Sequence, residues 1–226
     1  MNMLKHVVFD FDGTLVDSNA IKRDTFFKIT NPWDTTGEIA AGVLERWPAA
    51  DRYEKTRRIA EELISRKLLP EGSSLKDWAS HLAEEYTAQC EKAISCCPEM
   101  PGASQVLKEL SATGFHLFVN SATPVEPLRK ILKLRNWGHF FQGVYGAELA
   151  KADNLGQIAE TTGATPKEIV HVGDQPDDLQ ATEQFGCHFV AMADGNSRHV
   201  AEASDLVVQE LGELPGLLKN LDREAS

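Results

Sequence analysis

After Pro98 the sequence alternates apolar, strand-like segments with helical segments, and this alternation limits the fold more than any other feature. Strands that alternate with helices predict a mostly parallel sheet covered by helices, which is a Rossmann-like α/β fold. An earlier buried strand is predicted at Leu4–Phe11, where an apolar run stops at Gly13. The later predicted strands are Phe115–Asn120, Gly143–Tyr145, Ile169–Val172, His188–Met192 and Leu206–Val208. The predicted helices between them are Ser104–Ser111, Val125–Leu134, Asn154–Thr162 and Asp177–Phe185.

The segment 18–98 has helical periodicity and no convincing strand. Its length, about 80 residues, is too great for one crossover connection, so it is predicted to be an inserted helical domain. The α/β core then consists of 1–17 and 99–226. Two linkers, at 17–18 and near 98–102, would allow the insert to act as a movable lid over the sheet edge. The predicted helices of the insert are Asn19–Ile29, Gly37–Trp47, Arg52–Lys67 and Leu75–Ile94.

The charge and composition narrow the class of protein. The chain has 226 residues and a formal net charge of −11, which argues against a nucleic acid or an anionic membrane as partner. No apolar run approaches the roughly 18 residues that a membrane span needs, and there is no signal-peptide pattern. Cys90, Cys96, Cys97 and Cys187 form no CxxC pair, which favours reduced thiols. We therefore expect a cytoplasmic protein, and a monomer because no heptad seam is visible.

The run Asp10-Phe11-Asp12-Gly13-Thr14-Leu15 places two carboxylates at the end of the first predicted strand. Carboxylates this close repel each other unless a cation or a proton relieves the repulsion. Mg²⁺ prefers oxygen ligands and would relieve it. An Asp-Gly turn that merely ends a strand is the alternative interpretation of this run.

Two further strand ends carry polar groups. Ser121 and Thr123 follow the second core strand, where a hydroxyl and backbone N–H groups can hold anionic oxygens, or where either residue can simply cap the next helix. Lys151 precedes another predicted helix, although a lysine is unfavourable for the helix dipole at that end. Lys151 is therefore either a solvated surface residue or a binding group.

A last strand ends in Val172-Gly173-Asp174-Gln175-Pro176-Asp177-Asp178 and leads into a helix. Asp174 and Asp178 are four residues apart and therefore close in space. The alternative is helix capping and dipole compensation, which Asp177 alone could satisfy. The carboxyl ends of parallel strands form one ligand crevice. Four successive strand ends thus predict a single site containing two acidic pairs, a serine and a lysine.

In these motifs and their order, the sequence resembles the haloacid dehalogenase-like hydrolases, and the resemblance covers essentially its whole length. The residues that carry the resemblance are the DxDGT run from Asp10 to Thr14, Ser121, Lys151 and the GDxxxD run from Gly173 to Asp178. The helical insert stands where that family has a cap domain. The closest resemblance is to the phosphatase branch with a helical cap after the first motif, which includes phosphoglycolate phosphatase-like and β-phosphoglucomutase-like members.

The resemblance implies a Mg²⁺-dependent phosphatase that acts on a small phosphorylated metabolite. It makes Asp10 the nucleophile that forms an aspartyl-phosphate, and Asp12 the general acid and then the general base. Catalysis would also involve Ser121 and Lys151. The implied ligands of Mg²⁺ are Asp10, Asp12 through its backbone carbonyl, Asp174 and Asp178. The implied phosphate-binding residues are Gly13, Thr14, Ser121, Ala122 and Lys151.

The uneven distribution of charge along the chain supports a bound metal ion in the core. The insert contains 12 basic and 13 acidic residues, which leaves 11 basic and 21 acidic residues for the core. An anionic substrate can bind to such an acidic core only where a cation and Lys151 reverse the local field.

Specificity is expected to come from the insert, where Asn19, Lys22 and Arg52 are the candidate substrate-binding residues. A solvated helix start is the alternative for Arg52. Two other functions compete with the phosphatase. A sugar-phosphate mutase is disfavoured because Asn19–Ile29 lacks the histidine that mutase members tend to carry, and a receiver-like signalling domain is disfavoured by the length and the insert.

Overall fold

A parallel sheet forms the centre of the α/β unit. The computed structural model describes residues 4–48, 50–193 and 198–224, and within them the sheet has six strands in the order β3-β2-β1-β4-β5-β6. Every adjacent pair is parallel. The strands are β1 (His6–Phe9), β2 (His116–Asn120), β3 (Phe141–Tyr145), β4 (Ile169–Gly173), β5 (His188–Met192) and β6 (Val207–Val208). The Rossmann-like parallel fold is therefore confirmed.

Strand β1 is central because it is apolar on both faces. Val7, Val8 and Phe9 are completely buried, as expected for a strand covered on both sides. It pairs with β2 on one side and with β4 on the other. The chain runs from β1 to β2 and β3, then returns to β4 across β1, so the strand order reverses beside β1. Ligand sites of open α/β sheets lie at the carboxyl ends of the strands near such a reversal.

The helices of this unit pack on the sheet and complete its core. Residues of α7 and α8 pack with Val8 and Phe118 in one buried cluster, to which α7 contributes Ala152, Leu155 and Ile158. The helices are α5 (Ala103–Ala112), α6 (Val125–Leu134), α7 (Lys151–Thr162), α8 (Pro176–Phe185), α9 (Arg198–Glu202) and α10 (Leu214–Glu224).

Most element ends lie within two residues of their predicted positions, and the differences include the following. Helix α7 begins at Lys151 rather than at Asn154, since Ala150 is its N-cap residue. Helices α9 and α10 were not predicted. Strand β1 ends at Phe9, two residues before the predicted Phe11, so Asp10 already lies outside the strand. This last difference puts both acids of the first motif in the loop at the sheet edge.

The insert is a second compact unit, Asn19–Cys96, separate from the unit formed by the described residues up to Ser18 and from Cys97 onward. Two side-chain caps set the starts of its longer helices: Asp51 accepts a hydrogen bond from Glu54 N at 2.8 Å, and Ser74 accepts one from Asp77 N at 3.4 Å. The helices are α1 (Asn19–Thr30), α2 (Glu38–Arg46), α3 (Arg52–Ser65) and α4 (Leu75–Ile94).

The insert has its own hydrophobic core. Ile59, Leu63 and Leu82 are fully buried, and the rings of Phe26 and Tyr86 lie 4.3 Å apart. The tryptophans lie at the edge of this core: Trp47 is only partly buried beneath the Arg58 guanidinium, and Trp78 packs edge-on against Trp33. Among the described residues, no helix has the length and apolarity to cross a membrane.

Truncation of Leu82 to alanine should reduce the free energy of unfolding of the insert by about 2–5 kcal/mol, because it leaves a cavity in a closed core. Three of the four tryptophans, Trp33, Trp47 and Trp78, are in the insert, so urea denaturation followed by tryptophan fluorescence reports on it. Glu85→Ala is the matched control on the same helix, since Glu85 is exposed and should change stability by less than about 0.5 kcal/mol. An equal effect of both substitutions would contradict the assignment of this core.

Candidate active site

Three buried carboxylates converge at the carboxyl edge of the sheet. Asp10 follows β1, Asp174 follows β4, and Asp178 lies in the first turn of α8. These three residues are at most 3% exposed, and one oxygen of each lies within 4.8 Å of an oxygen of the others. Because hard oxygen donors in this number suit Mg²⁺, these residues fit a divalent cation.

Lys151 compensates part of this negative charge. Its Nζ donates hydrogen bonds to Asp10 Oδ1 at 3.2 Å and to Asp178 Oδ1 at 2.6 Å. It also forms an ion pair with Asp177 Oδ2 at 3.0 Å. Burial opposes the charge on Lys151, but the three carboxylates Asp10, Asp178 and Asp177 raise its pKa well above the usual value. Lys151 is therefore a charged, buried member of the site and not a solvated surface lysine.

The carboxylates themselves are crowded enough to hold protons near neutral pH. Burial raises the pKa of Asp10 to about 8, opposed by Lys151 and reinforced by Asp178, Asp12 and Asp177. Burial likewise raises the pKa of Asp178 to about 7, again opposed by Lys151. One lysine is thus too little positive charge for the cluster, and a bound cation would return both groups to the ionised form.

Asp12 lies among hydroxyl groups and takes no part in the carboxylate cluster. Ser18 donates to its Oδ1 at 2.6 Å, while Thr123 and Ser121 donate to its Oδ2 at 3.0 and 3.4 Å. A hydroxyl can donate or accept, so this environment suits both the ionised and the protonated carboxyl group. Coordination of a metal by the backbone carbonyl of Asp12 stays a prediction.

The loop that holds Asp10 and Asp12 depends on Gly13. Gly13 has φ of 83°, a conformation that favours glycine, and its N–H donates to Val16 O at 2.8 Å. Its N–H is therefore used within the turn. The implied role of Gly13 in phosphate binding stays a prediction. Thr14 donates its hydroxyl proton to Asp174 Oδ1 at 3.1 Å and thereby joins the loop to the carboxylate cluster.

Ser121 is not the cap of the following helix, because Pro124 occupies the N-cap position of α6. Ser121 Oγ accepts from Thr123 N at 3.1 Å and faces Asp12. Ala122 lies between these two residues in the same turn and is exposed. The hydroxyls of this turn are thus aimed at the second acid of the first motif.

A pair of buried asparagines fixes the position of Lys151. Asn120 Nδ2 donates to Lys151 O at 3.0 Å, and Asn154 Nδ2 donates to Asn120 Oδ1 and to Gly146 O, both at 2.9 Å. These bonds tie the start of α7 to the end of β2. They explain why Lys151 is the first residue of its helix and faces the cluster.

Asp178 is held from its other side by α8 and by β4. Its Oδ2 accepts from Gln175 N at 3.1 Å, so Asp178 caps its own helix while its Oδ1 contacts Lys151. His171 Nε2 lies 3.5 Å from Asp178 Oδ1, and His171 Nδ1 lies 3.0 Å from the hydroxyl of Thr182. Burial lowers the pKa of His171 to about 3, so the ring is neutral.

The sequence analysis therefore missed Ser18, His171 and Asn154, and treated Asp177 only as a possible helix cap. A strand-interior histidine beside the second acidic motif was the one visible signal for His171. Asn19, Lys22 and Arg52 lie in the insert, and their substrate-binding role stays a prediction. Arg52 Nη1 donates to Thr87 Oγ1 at 3.3 Å, and its guanidinium lies over the rings of Tyr53 and Tyr86.

A cavity of about 780 Å³ between α3 and α4 of the insert contains none of the carboxylates described above. Its walls are formed largely by small and apolar groups, including Leu75, Ala79 and Ala83. We assign the chemistry to the sheet edge, because that is where charged groups with shifted pKa values converge.

Gly173→Ala should disrupt the site, because a Cβ at this position would lie 2.4 Å from Asp178 Cγ. We expect a loss of about 1–3 kcal/mol in the free energy of unfolding and weaker Mg²⁺ binding. Gly156→Ala in α7 is the matched control, since its Cβ would enter open space and should stabilise the helix by about 0.5–1 kcal/mol. Urea denaturation measures the free energy of unfolding of each variant, and titration calorimetry measures its Mg²⁺ binding. Equal values for the two variants would argue against close packing at Gly173.

The metal-free protein should lose stability as pH rises from about 6.5, and the loss should level off above about pH 8. Folded Asp10 and Asp178 keep protons until pH values of about 8 and 7, whereas the unfolded chain has already released them. The slope approaches about 1.4 kcal/mol per pH unit for each proton involved. Below this range, buried neutral His171 has the opposite effect.

Urea denaturation in EDTA and in saturating Mg²⁺ measures this dependence. Mg²⁺ should flatten the decline, because a bound cation favours the ionised carboxylates. Asp10→Asn should give a shallower slope in EDTA, since one of the two groups is gone. A stability in EDTA that is constant or rises over this range would contradict the assignment.

The chain is similar to known proteins in sequence and in fold. A phosphoglycolate phosphatase of Vibrio cholerae is 26% identical over 95% of this chain and 96% of its own. The structure of a predicted phosphoglycolate phosphatase from Haemophilus somnus covers 96% of this chain and 99% of its own, with a TM-score of 0.78 and 20% identity. A β-phosphoglucomutase from Clostridium difficile covers 99% of both chains, with a TM-score of 0.75 and 16% identity.

The two solved structures share the fold at identities too low to show more than that. The sequence profile of the haloacid dehalogenase-like hydrolases matches residues 4–186, which include both acidic motifs, Ser121 and Lys151. The chain belongs to the haloacid dehalogenase-like hydrolase family.

Proposed function

We propose that this protein is a Mg²⁺-dependent phosphatase that hydrolyses a small phosphorylated metabolite through an aspartyl-phosphate on Asp10. The single observation that supports this most is that three carboxylates converge with Lys151, next to a fourth carboxyl group, that of Asp12, which is hydrogen-bonded by hydroxyls instead. A phosphate ester needs its oxygens neutralised before a carboxylate can attack phosphorus. It also needs a separate acid for the leaving oxygen.

Asp10 is the proposed nucleophile. It lies 3.2 Å from Lys151 Nζ, in the loop directly after β1, so it is positioned by a buried central strand of the sheet. A divalent cation held by Asp10, Asp174 and Asp178 would supply charge neutralisation for the phosphoryl oxygens. Asp10 Oδ would form a bond to phosphorus while the bond from phosphorus to the ester oxygen breaks.

Asp12 is the proposed proton donor and acceptor. Protonated Asp12 gives its proton to the departing ester oxygen. The resulting carboxylate then takes a proton from the water that attacks phosphorus, which releases phosphate and regenerates Asp10. The hydroxyls of Ser18 and Thr123, at 2.6 and 3.0 Å, support both forms of Asp12 because they can reorient.

Phosphate binding is proposed for Lys151, Thr14 and the turn that contains Ser121 and Ala122. Lys151 is charged and already lies beside Asp10, and the turn presents hydroxyl and backbone N–H donors of the kind that bind phosphoryl oxygens. Gly13, which lies in the same loop as Thr14, is proposed to contact the phosphate as well, and its N–H is bonded to Val16 O in the substrate-free protein.

For the rest of the substrate, we propose a small sugar phosphate or phosphorylated carboxylic acid. The relative from Vibrio cholerae makes phosphoglycolate the first compound to test. Asn19, Lys22 and Arg52 of the insert are the proposed specificity residues. Arg52 is best suited to bind a carboxylate, since two tyrosine rings and Thr87 already orient its guanidinium.

Asp10→Asn should reduce kcat for p-nitrophenyl phosphate by about 10³-fold or more, because the amide cannot attack phosphorus. The variant should fold, since Asn is close in shape to the protonated carboxyl group that burial favours here. Asp205→Asn, an exposed acid, is the charge-matched control and should keep full activity. EDTA should abolish the wild-type activity, and Mg²⁺ should restore it.

Full activity of Asp10→Asn would refute the nucleophile, and activity in excess EDTA would refute the metal requirement. Acid quenching followed by mass spectrometry should find a phosphoryl group on the wild-type peptide that contains Asp10, and none in the variant. Isomerisation of a sugar phosphate without net release of phosphate would favour a mutase instead.

A further inference from the structure

Lys151 has an anionic neighbour that the proposed reaction does not use. An ammonium group has three N–H donors, and Lys151 gives two of them to the buried carboxylates of Asp10 and Asp178. The carboxylate of Asp177 lies 3.0 Å from the same nitrogen. The remaining donor capacity of Lys151 is therefore next to an acid of the protein itself.

Asp177 differs in kind from the two other acids around Lys151. Its side chain is 54% exposed, whereas those of Asp10 and Asp178 are 4% and 0% exposed. It also lies outside the group of three carboxylates that could share a metal ion. Asp177 is thus the partner that can leave Lys151 without exposing a buried charge or dismantling the candidate metal site.

We propose that Asp177 occupies, in the substrate-free protein, the place on Lys151 that a phosphoryl oxygen of the substrate takes. This inference rests on the proposed function, since it assumes that Lys151 binds the phosphoryl group. Asp177 then competes with the substrate and with the product phosphate for the same ammonium. It weakens the binding of both, and it speeds the release of phosphate by replacing it on Lys151.

The proposal predicts that Asp177→Asn binds anions more tightly. The amide keeps the size of the side chain but removes the charge that competes for Lys151. An ion pair with one exposed partner contributes little, so KM for p-nitrophenyl phosphate and the inhibition constant of inorganic phosphate should each fall about two- to fivefold. The value of kcat should change less than KM, because Asp177 does not take part in the bond-making steps.

A matched control separates this local competition from a general change in charge or helix stability. Asp153 is an exposed acid in the first turn of α7, as Asp177 is an acid in the first turn of α8. Both substitutions remove one negative charge and one favourable interaction with a helix dipole, but only Asp177 is in contact with Lys151 in the described structure. Asp153→Asn should therefore show a similar change in Tm but leave KM and the phosphate inhibition constant nearly unchanged.

The experiment compares wild type, Asp177→Asn, Asp177→Ala and Asp153→Asn in saturating Mg²⁺. A lower KM and tighter phosphate inhibition in both Asp177 variants, but not in Asp153→Asn, would support the proposal. An unchanged or higher KM in both, or an equal fall in Asp153→Asn, would overturn it.

Failure of the proposed function is a separate result. It would be seen as a wild-type protein without Mg²⁺-dependent release of nitrophenol. Calorimetric titration of the same four proteins with inorganic phosphate would then still test the competition. Tighter phosphate binding only in the Asp177 variants would support it, and equal or weaker binding in those variants would refute it.

Discussion

The structure of the site depends on how buried negative charge is compensated. Asp10, Asp174 and Asp178 converge where the strand order reverses, and their mutual repulsion would not be tolerated there without positive charge. Lys151 supplies one charge and hydrogen bonds to two of the three acids. The raised pKa values of Asp10 and Asp178 show that this is insufficient. The remaining deficit is why a divalent cation would fit this site.

This compensation is possible only because distant segments are held in register. Parallel pairing of β1 with β2 and β4 brings the three strand ends side by side. Lys151 comes from a fourth segment, and its position depends on the hydrogen bonds of Asn120 and Asn154. Buried amide groups of this kind are costly when unpaired, so the network also disfavours other placements of α7. The same hydrogen bonds therefore stabilise the fold and place the charge of Lys151.

Much of this arrangement follows from the sequence, and the exceptions have physical causes. The strand ends and their acids could be predicted because apolar periodicity and turn residues are local signals. The start of α7 at Lys151 could not, because its helix end is fixed by Asn120, 31 residues away. Thr123 was missed as a partner of Asp12 for the same reason, since it lies 111 residues from it. Ser18 lies only six residues from Asp12, and its contact depends on how the loop after β1 turns back. Asp177 fitted a helix cap equally well, and only its distance from Lys151 distinguishes the two roles.

The two acids of the first motif lie two residues apart but have opposite environments, and this separation is what acid chemistry at the site requires. Asp10 lies among charges, where a cation would keep it ionised. Asp12 lies among the hydroxyls of Ser18, Ser121 and Thr123, which can stabilise it with or without a proton. A shared metal ligand could not carry a proton, and a carboxyl group surrounded by hydroxyls alone would attack phosphorus poorly. The turn at Gly13 and the turn at Ser121 therefore do more than end two strands: they separate the proposed nucleophile from the proposed acid.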